Sequence, residues 1–283
     1  ELLLKECAFE KGEGVHKFFG QKNLSVLYVD GLFEVKNELS LFRAQKLIIA
    51  TGGLSLPSIG ASDWGHRVAR QFGHTVIEPR PVLVPFTSQT ITKFNLRGQS
   101  LKASVKVGKN TVSEDVLFTH KGLSGPAILK ASLFWKKGEK VTINWIPDTI
   151  EEELKKSLFQ PGNRTTFGSL LKEKLPKKCL EAFLNNLGLT SDKKIQEASK
   201  KERQKVLEIL FRYTFIPDGT EGYRKAEATA GGVETKEVSP QTMESRLQKG
   251  LYFAGEVLDV TGQLGGYNFQ WAWASGTIAG QGL

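Results

Sequence analysis

The chain has 283 residues and a formal charge of +9, with 40% apolar and 24% charged residues. This composition is typical of a globular protein of one to three domains. The longest apolar runs are strand-sized, which excludes a membrane span of roughly 20 residues. The first residues also lack the basic start and apolar stretch of a signal peptide. Two distant cysteines, Cys7 and Cys179, exclude a disulfide framework and indicate reduced thiols in a cytoplasmic protein.

In the first quarter of the chain the spacing of apolar residues changes twice, from helical to strand-like and back to helical. Residues 1–16 are predicted to end a helix, because apolar residues recur at helical spacing before two glycines. Residues 24–50 contain short apolar runs between turn-like residues, which predicts an antiparallel meander leading into a buried strand. Residues 64–73 predict a short helix closed by Gly73.

The middle of the chain has the pattern of an insertion. Residues 79–145 are rich in short strands, and residues 148–212 have helical spacing and a first helix with Asp148 as N-cap. After Met243 the chain returns to strand, turn and helix. We therefore expect four parts, of which the first and last form one α/β domain and the second and third are a β-rich and a helical module: 1–78, 79–147, 148–222 and 223–283.

Two segments have the pattern of a nucleotide-binding edge. "KLIIATGG", residues 46–53, places Thr51, Gly52 and Gly53 after a buried strand at 47–50. Open α/β sheets bind ligands at the carboxyl ends of their strands, and glycine allows close approach to the backbone. A simple glycine turn explains this motif equally well.

The second segment, "GLYFAGEVLDVTGQLGGYNFQWAWASGTIAG", begins with another short buried strand, at 251–254. Gly265 and Gly266 precede a predicted helix at 267–279, whose N-terminal N–H groups suit a phosphate or a carbonyl oxygen. Glu256 and Asp259 are candidates to accept hydrogen bonds from sugar-like hydroxyls. A terminal helix packed for structure alone is the alternative, and a second strand–glycine unit weakens it.

With these segments in this order, the chain resembles the bacterial flavoproteins of the HI0933-like, or aminoacetone-oxidase-like, family. Three stretches carry the resemblance: "ATGGLSLPSIGASDWGHRVARQFGH" at 50–74, "LFTHKGLSGPAILKAS" at 117–132 and "ATAGGVETKEVSPQTMESRLQKGLYFAGEVLDVTGQLGGYNFQWAWASGTIAG" at 228–280. The resemblance implies a Rossmann-like FAD/NAD(P)-binding α/β domain, α+β overall, interrupted by the two inserted modules. The sequence departs from the family pattern at Ala230, where a threonine is expected, and at "SDWGH", where a more glycine-rich turn is common.

The resemblance implies FAD as cofactor and NAD(P)H as a candidate electron donor. Residues 51–53 would lie near the nucleotide end of FAD, 255–259 along its ribityl and diphosphate part, and 265–268 at the flavin ring. The implied FAD contacts are Thr51, Gly52, Gly53, Gly255, Glu256, Asp259, Gly265, Gly266, Tyr267 and Asn268. Members of the family begin with a strand and a G-x-G-x-x-G-type turn that hold the pyrophosphate. Nothing here matches that beginning, so we expect an N-terminally incomplete site that lacks roughly a hundred residues and binds FAD weakly by itself.

The insertion contains a further polar turn, "FTHKGLSGPAIL". His120, Lys121 and Ser124 either meet the substrate over the flavin or cap a helix at 126–133, with Ser124 as N-cap. A catalytic histidine needs a placed partner, so no catalytic residue is assigned. The remaining histidines lack metal-like spacing and are expected to be structural or exposed.

We therefore expect an FAD-dependent oxidoreductase that exchanges a hydride with a small organic substrate, without a membrane partner and with oligomeric state open. The alternative is an RNA-associated flavoprotein, similar to tRNA-modifying enzymes, or a basic RNA-binding module. Residues 151–212 hold 14 Lys/Arg and 9 Asp/Glu, and this mixture favours a solvated helical face over a nucleic-acid surface. A further alternative is a folded fragment that is inert by itself.

Overall fold

The computed structural model describes residues 15–282. Its first part is an antiparallel meander followed by one short strand and a helix. Asp30 and Gly31 have φ values of 52° and 83°, so they form the left-handed two-residue turn that suits a tight hairpin. The elements are β1 Ser25–Val29, β2 Leu32–Lys36, β3 Leu41–Ala44, β4 Leu47–Ile49 and α1 Trp64–Gln71.

The middle part begins with one strand that lies outside its main sheet and continues as a seven-stranded antiparallel sheet with helices packed against it. Along the third of its strands, at 100–107, buried and exposed residues alternate, because successive side chains of a strand point to opposite faces. The elements are β5 Val76–Val82, β6 Phe86–Thr87, α2 Gln89–Thr92, β7 Ser100–Val107, β8 Asn110–Phe118, β9 Gly122–Ser124, α3 Pro126–Ser132, β10 Val141–Asn144, α4 Glu151–Phe159, α5 Phe167–Leu171, α6 Lys177–Asn186, α7 Lys200–Phe211, β11 Tyr213–Phe215 and β12 Gly219–Thr220. The strand order in the sheet is β11-β10-β7-β8-β9-β6-β12.

One continuous core joins this sheet to α4–α7. Trp145 is 1% exposed, and its ring lies 5.3 Å from both Phe118 and Phe183. The longest helix of the module, α7, begins with a capping box in which Ser199 and Glu202 each accept the other's backbone N–H. Such reciprocal caps satisfy N–H groups that would otherwise lack partners.

The last part returns to the first through β13 Ala228–Val233, β14 Leu251–Phe253 and α8 Tyr267–Gln281. β14 pairs in parallel with β4, and β13 pairs antiparallel with β5 through a bulge between Ala230 and Gly232. A second core surrounds these strands and extends to Val26 and Phe33 of the meander. The meander, the β4–β14 pair and the seven-stranded sheet are separate sheets. The fold is mixed α/β, as predicted.

Several local predictions need correction. Ser124 is not a helix N-cap: it lies in β9, and Gly125 precedes α3 without a side-chain cap. Asp148 is also not the cap of α4; it begins a short 3-10 turn and accepts a hydrogen bond from Asn144. The helix predicted at 1–16 falls almost wholly outside the described residues. The four domain limits stay a prediction, and β5 crosses the limit at residue 79.

Candidate functional site

The carboxyl ends of β4 and β14 meet at one edge of the parallel pair. Leu47 lies opposite Leu251, and Ile49 opposite Phe253. The loop that begins at Thr51 therefore lies beside Gly255 and Glu256, because parallel strands end at the same edge of a sheet. The structure thus brings the two glycine segments together.

Glu256 ties this edge together through both carboxylate oxygens. Gly53 N donates to Oε2 at 3.2 Å, and Thr229 N donates to Oε1 at 2.8 Å. Burial raises the pKa of Glu256, while the two backbone N–H groups oppose that shift. Both carboxylate oxygens of Glu256, which is predicted to lie along the ribityl and diphosphate part of FAD, are therefore already hydrogen-bonded within the chain.

Thr229 is a site residue that the sequence reasoning missed. Its Oγ1 accepts hydrogen bonds from the backbone N–H groups of Leu54 at 2.8 Å and Ser55 at 3.2 Å. We expected a threonine at position 230; the hydroxyl that holds the loop comes from the neighbouring residue on β13. The signal was present in "ATAGG", one position from where the family pattern directed attention.

Arg80 is a second residue that the sequence analysis missed, and it interacts electrostatically with Asp259. Burial lowers the pKa of Arg80, and the nearby Asp259 carboxylate opposes that shift. The guanidinium donates to the carbonyl of Leu133 at 2.7 Å, and Asp259 Oδ1 accepts from Gly231 N at 3.1 Å. Arg80 lies in "EPRPV", where strand periodicity gives no reason to expect a half-buried charge.

The N-terminus of α8 is open to approach. Gly265 and Gly266 have φ values of 128° and 88°, and no atom lies within 4 Å of a Cβ built on Gly266. Asn268 holds the turn by accepting from Gly262 N at 2.8 Å. First-turn N–H groups of a helix have no intrahelical acceptor. Glycines at a left-handed turn beside such donors therefore suit a flat ring with a carbonyl or anionic edge.

One side of α8 is attached to the strand edge. Trp271 Nε1 donates to the carbonyl of Gly255 at 3.1 Å, and Ser275 Oγ accepts from Gly255 N at 2.9 Å. The other side is bare: Phe269 is 78% exposed and Trp273 is 58% exposed. The helix thus presents aromatic surface next to the predicted ring position.

Among residues 15–282, ion pairs and hydrogen bonds join the His120 turn to the strand edge only indirectly. His120 is exposed, whereas Lys121 Nζ pairs with Glu221 at 3.1 Å. Two residues beyond Glu221, the carbonyl of Tyr223 accepts from Leu56 N at 2.9 Å. The turn therefore connects to the loop after β4 through the 221–223 segment. Ser124 lies in β9, farther along the same hairpin.

His74 has the partners of a catalytic triad but a structural role. Its Nδ1 lies 3.1 Å from Glu237 Oε2, and its Nε2 lies 2.7 Å from Ser245 Oγ. That Oγ already accepts from the backbone N–H groups of Leu247 and Gln248. Its own proton is therefore directed to His74, and no lone pair is presented to a substrate. His66 is buried as well, and within residues 15–282 no group of side chains could hold a metal ion.

The chain belongs to a family of Rossmann proteins. The profile of the HI0933-like protein Rossmann domain matches residues 3–282, so the chain is a member of the HI0933-like family. No helix within the described part of the chain has the length and apolar character to cross a membrane.

Three relatives are informative. A ribosomal RNA dihydrouridine synthase of Haemophilus influenzae is 45% identical over 83% of the chain and 59% of its own length. The protein of that name in Escherichia coli is 40% identical over 100% of the chain and 71% of its length. A 3-dehydro-bile acid delta(4,6)-reductase of Clostridium scindens is 29% identical over 88% and 64%. The chain thus spans about three fifths of the Haemophilus relative.

Proposed function

We propose that the full-length protein is an FAD-dependent oxidoreductase that reduces a uracil base in ribosomal RNA to dihydrouracil. The relatives with 45% and 40% identity carry the name of that reaction. We therefore propose an RNA substrate in place of the small organic molecule expected from the sequence. This proposal corresponds to the alternative of an RNA-associated flavoprotein. A cytoplasmic location agrees with a ribosomal RNA substrate.

The residues at the strand edge fit the proposed cofactor. The observation that supports a flavin site is the open N-terminus of α8 beside the joined ends of β4 and β14. A Cβ built on Gly52 or Gly266 meets no atom within 4 Å, so a ring or a phosphate can approach either backbone. Glu256 and Asp259 each use carboxylate oxygens that retain lone pairs for hydroxyl groups.

When bound and reduced by NAD(P)H, the proposed electron donor, the flavin would supply the hydride, and water the proton, that together saturate a uracil double bond. The chain's part is to bind and orient. The first-turn N–H groups of α8 would hold the pyrimidine edge of the ring and stabilise negative charge there. Glu256 would keep Gly53 and Thr229 in register, so that the two sides of the site do not separate.

A small-molecule reductase is the second candidate. The Clostridium relative acts, by its name, on a bile acid derivative, and it matches 88% of the chain at 29% identity. Exposed Phe269 and Trp273 could contact a flat apolar substrate as well as a base. The higher identity of the two ribosomal RNA enzymes favours the RNA substrate.

The decisive experiment uses the full-length protein. We expect a flavin absorption spectrum that bleaches with NADPH or NADH, and formation of dihydrouridine in ribosomal RNA purified from cells that lack the gene. Nucleoside mass spectrometry measures the product. A flavin that bleaches while no dihydrouridine forms, together with reduction of an unsaturated bile acid, would select the second candidate.

A matched pair of glycine variants tests the ring position. Gly266 and Gly138 have φ values of 88° and 92°, and a Cβ on either meets no atom within 4 Å. Replacing each by valine therefore imposes similar backbone strain. Gly266→Val should release the flavin from the full-length protein, whereas Gly138→Val should retain it. Retention by both variants would show that the ring lies elsewhere.

A further inference from the structure

A polar cleft lies between α6 and residues 93–96, which directly follow α2, outside the proposed cofactor site. It encloses about 450 Å³ and is lined mainly by lysine and asparagine side chains. The polar lining residues are Lys93, Asn95, Lys178, Glu181, Asn185 and Asn186. We call this the α2–α6 cleft.

One face of α6 forms the wall of the cleft. Residues 178, 181, 182, 185 and 186 recur at three- and four-residue spacing and so share one side of the helix. The opposite side, with Cys179, Leu180, Phe183 and Leu184, is buried in the core of the inserted module. Because this core fixes the helix, the polar face is rigid although its side chains are exposed.

The side chains of the cleft are available to a ligand. Within residues 15–282, Lys93 and Lys178 form no ion pair, and the amides of Asn185 and Asn186 form no hydrogen bond. The one acid, Glu181, lies 3.9 Å from Lys177. The cleft therefore combines positive charge with uncharged groups that both donate and accept hydrogen bonds.

Backbone hydrogen bonds connect the cleft to the proposed active site. Gly98 N donates to the carbonyl of Phe118, which places Arg97 beside the start of the His120 turn. Ser88 N, at the start of α2, donates to the carbonyl of Lys121 at 2.8 Å. From there the Lys121–Glu221 ion pair and the Tyr223–Leu56 hydrogen bond lead to the loop after β4.

We infer that the α2–α6 cleft binds the single-stranded RNA that flanks the target base, with cations on its phosphates and asparagine amides on its base edges. This inference rests on the proposed function. Phosphate contacts position a nucleic acid, whereas amide contacts to bases carry sequence information. An unpaired strand exposes the base edges that such amides reach.

The test compares two triple variants of the full-length protein. Lys93→Ala/Arg97→Ala/Lys178→Ala removes the two lysine charges of the cleft and the charge of Arg97, which lies beside the start of the His120 turn. Lys200→Ala/Lys201→Ala/Lys205→Ala removes three charges from α7. The probe is a fluorescein-labelled uridine oligonucleotide, and its dissociation constant is measured against salt concentration. Each phosphate contact to a single strand contributes about 0.7 to the logarithmic salt slope, so the cleft variant should lose about 2. The α7 variant should keep the wild-type slope.

A second variant tests the amides. Asn185→Ala/Asn186→Ala should weaken binding several-fold and leave the salt slope unchanged, because it removes no charge. Flavin content and the rate of flavin bleaching by NADPH should match the wild type in all variants, which reports intact folding and cofactor binding.

The outcomes separate this inference from the proposed function. Equal salt slopes for the two triple variants would overturn the cleft as the RNA site, even if the wild type forms dihydrouridine. A lower slope in the cleft variant alone would support it, even if the wild type forms no dihydrouridine and the proposed reaction fails.

Discussion

Two tryptophans show that the two halves of the molecule bury their apolar side chains to very different degrees. Trp145, in the inserted module, is 1% exposed and lies between aromatic rings; Trp273, on α8, is 58% exposed. The module buries its apolar residues against one another. By contrast, α8 is apolar around its circumference, yet only Ser275 and Ala279 are buried along it. A helix of that composition is normally covered on all sides.

The β4–β14 pair is equally open. Within the described residues β4 pairs only with β14, although parallel strands normally lie inside larger sheets covered on both faces. The inserted module therefore encloses an apolar core of its own, whereas α8 leaves apolar surface exposed that we expect another group to cover. The proposed cofactor and further chain, such as the longer relatives possess, are the two candidates.

The largest expected effect contrasts the two tryptophans directly. Trp145→Ala should lower the free energy of unfolding by about 3–5 kcal/mol, because it leaves a cavity in a close-packed core. Trp273→Ala should change it by no more than about 0.5 kcal/mol, as is usual for an exposed position. Urea unfolding followed by circular dichroism measures both. Similar losses for the two variants would contradict the contrast.

The next effect concerns the strand edge of the open half, where the loop after β4 meets β13 and the end of β14. A Cβ on Gly53 would lie 2.5 Å from Thr229 Oγ1 and 2.8 Å from Glu256 Oε2, so Gly53→Ala must displace a hydrogen-bonded pair. We expect a loss of about 2 kcal/mol, corresponding to roughly two hydrogen bonds. Gly219→Ala is the control, since its Cβ would make only an ordinary 3.6 Å contact with Thr87. An equal, small loss in both variants would mean that Thr229 and Glu256 move aside at little cost in stability.

His74 provides a pH test of the open half. Burial lowers the pKa of His74 from 6.5, so the folded state favours the neutral ring. The stability that the neutral His74 ring contributes is present above the pKa of the unfolded state, and it is lost as pH falls through the pKa of the folded state. His74→Gln should cost about 1–3 kcal/mol near neutral pH through its buried partner Ser245.

The shape of the pH curve is the readout for His74. Between about pH 7 and pH 5 the wild type should lose stability more steeply than His74→Gln. Hydrogen bonds from Thr75 and His74 outweigh burial and lower the pKa of Glu237, so its contribution is lost at more acidic pH. Parallel curves for the two proteins would show that His74 does not titrate in this range.

The smallest effect reveals what covers α8. A Cβ on Gly276 meets no atom within 4 Å among residues 15–282, and alanine is favoured over glycine inside a helix by about 0.5–1 kcal/mol. Gly276→Ala should therefore stabilise this chain by that amount. In the full-length protein the same change should instead lower stability or flavin retention, because a covering element would meet the new methyl group. Stabilisation in both proteins would mean that this face stays open.

The sequence predicts the elements better than it predicts their junctions. Buried strands at 47–49 and 251–253 follow from unbroken apolar runs, and α8 follows from its length and its glycine start. The failures lie where one residue has two possible roles. Ser124 has the residue type of a helix N-cap, but Gly125, with a positive φ, is the residue that precedes α3. Asp148 accepts a hydrogen bond from Asn144 and does not cap α4.

The candidate site also combines residues that the sequence predicts with residues that it does not. Glycines at strand ends are visible in a one-dimensional pattern because each lies beside its own strand. Thr229 and Arg80 are not visible, because their partners are distant in sequence: Thr229 contacts Leu54, and Arg80 contacts Leu133. Only pairing of β13 with β5 brings those residues to the site.

The parallel register of Leu47 with Leu251 has a consequence for the order of folding. The two partners lie near opposite ends of the chain, so their encounter carries a large loop-closure entropy until the intervening residues become compact. The hairpin of β7 and β8 joins near neighbours and can form early. Contacts between near neighbours form faster than distant ones. We therefore expect the inserted module to fold first and draw the carboxyl ends of β4 and β14 together, so that the proposed active site is the last part of the chain to assemble.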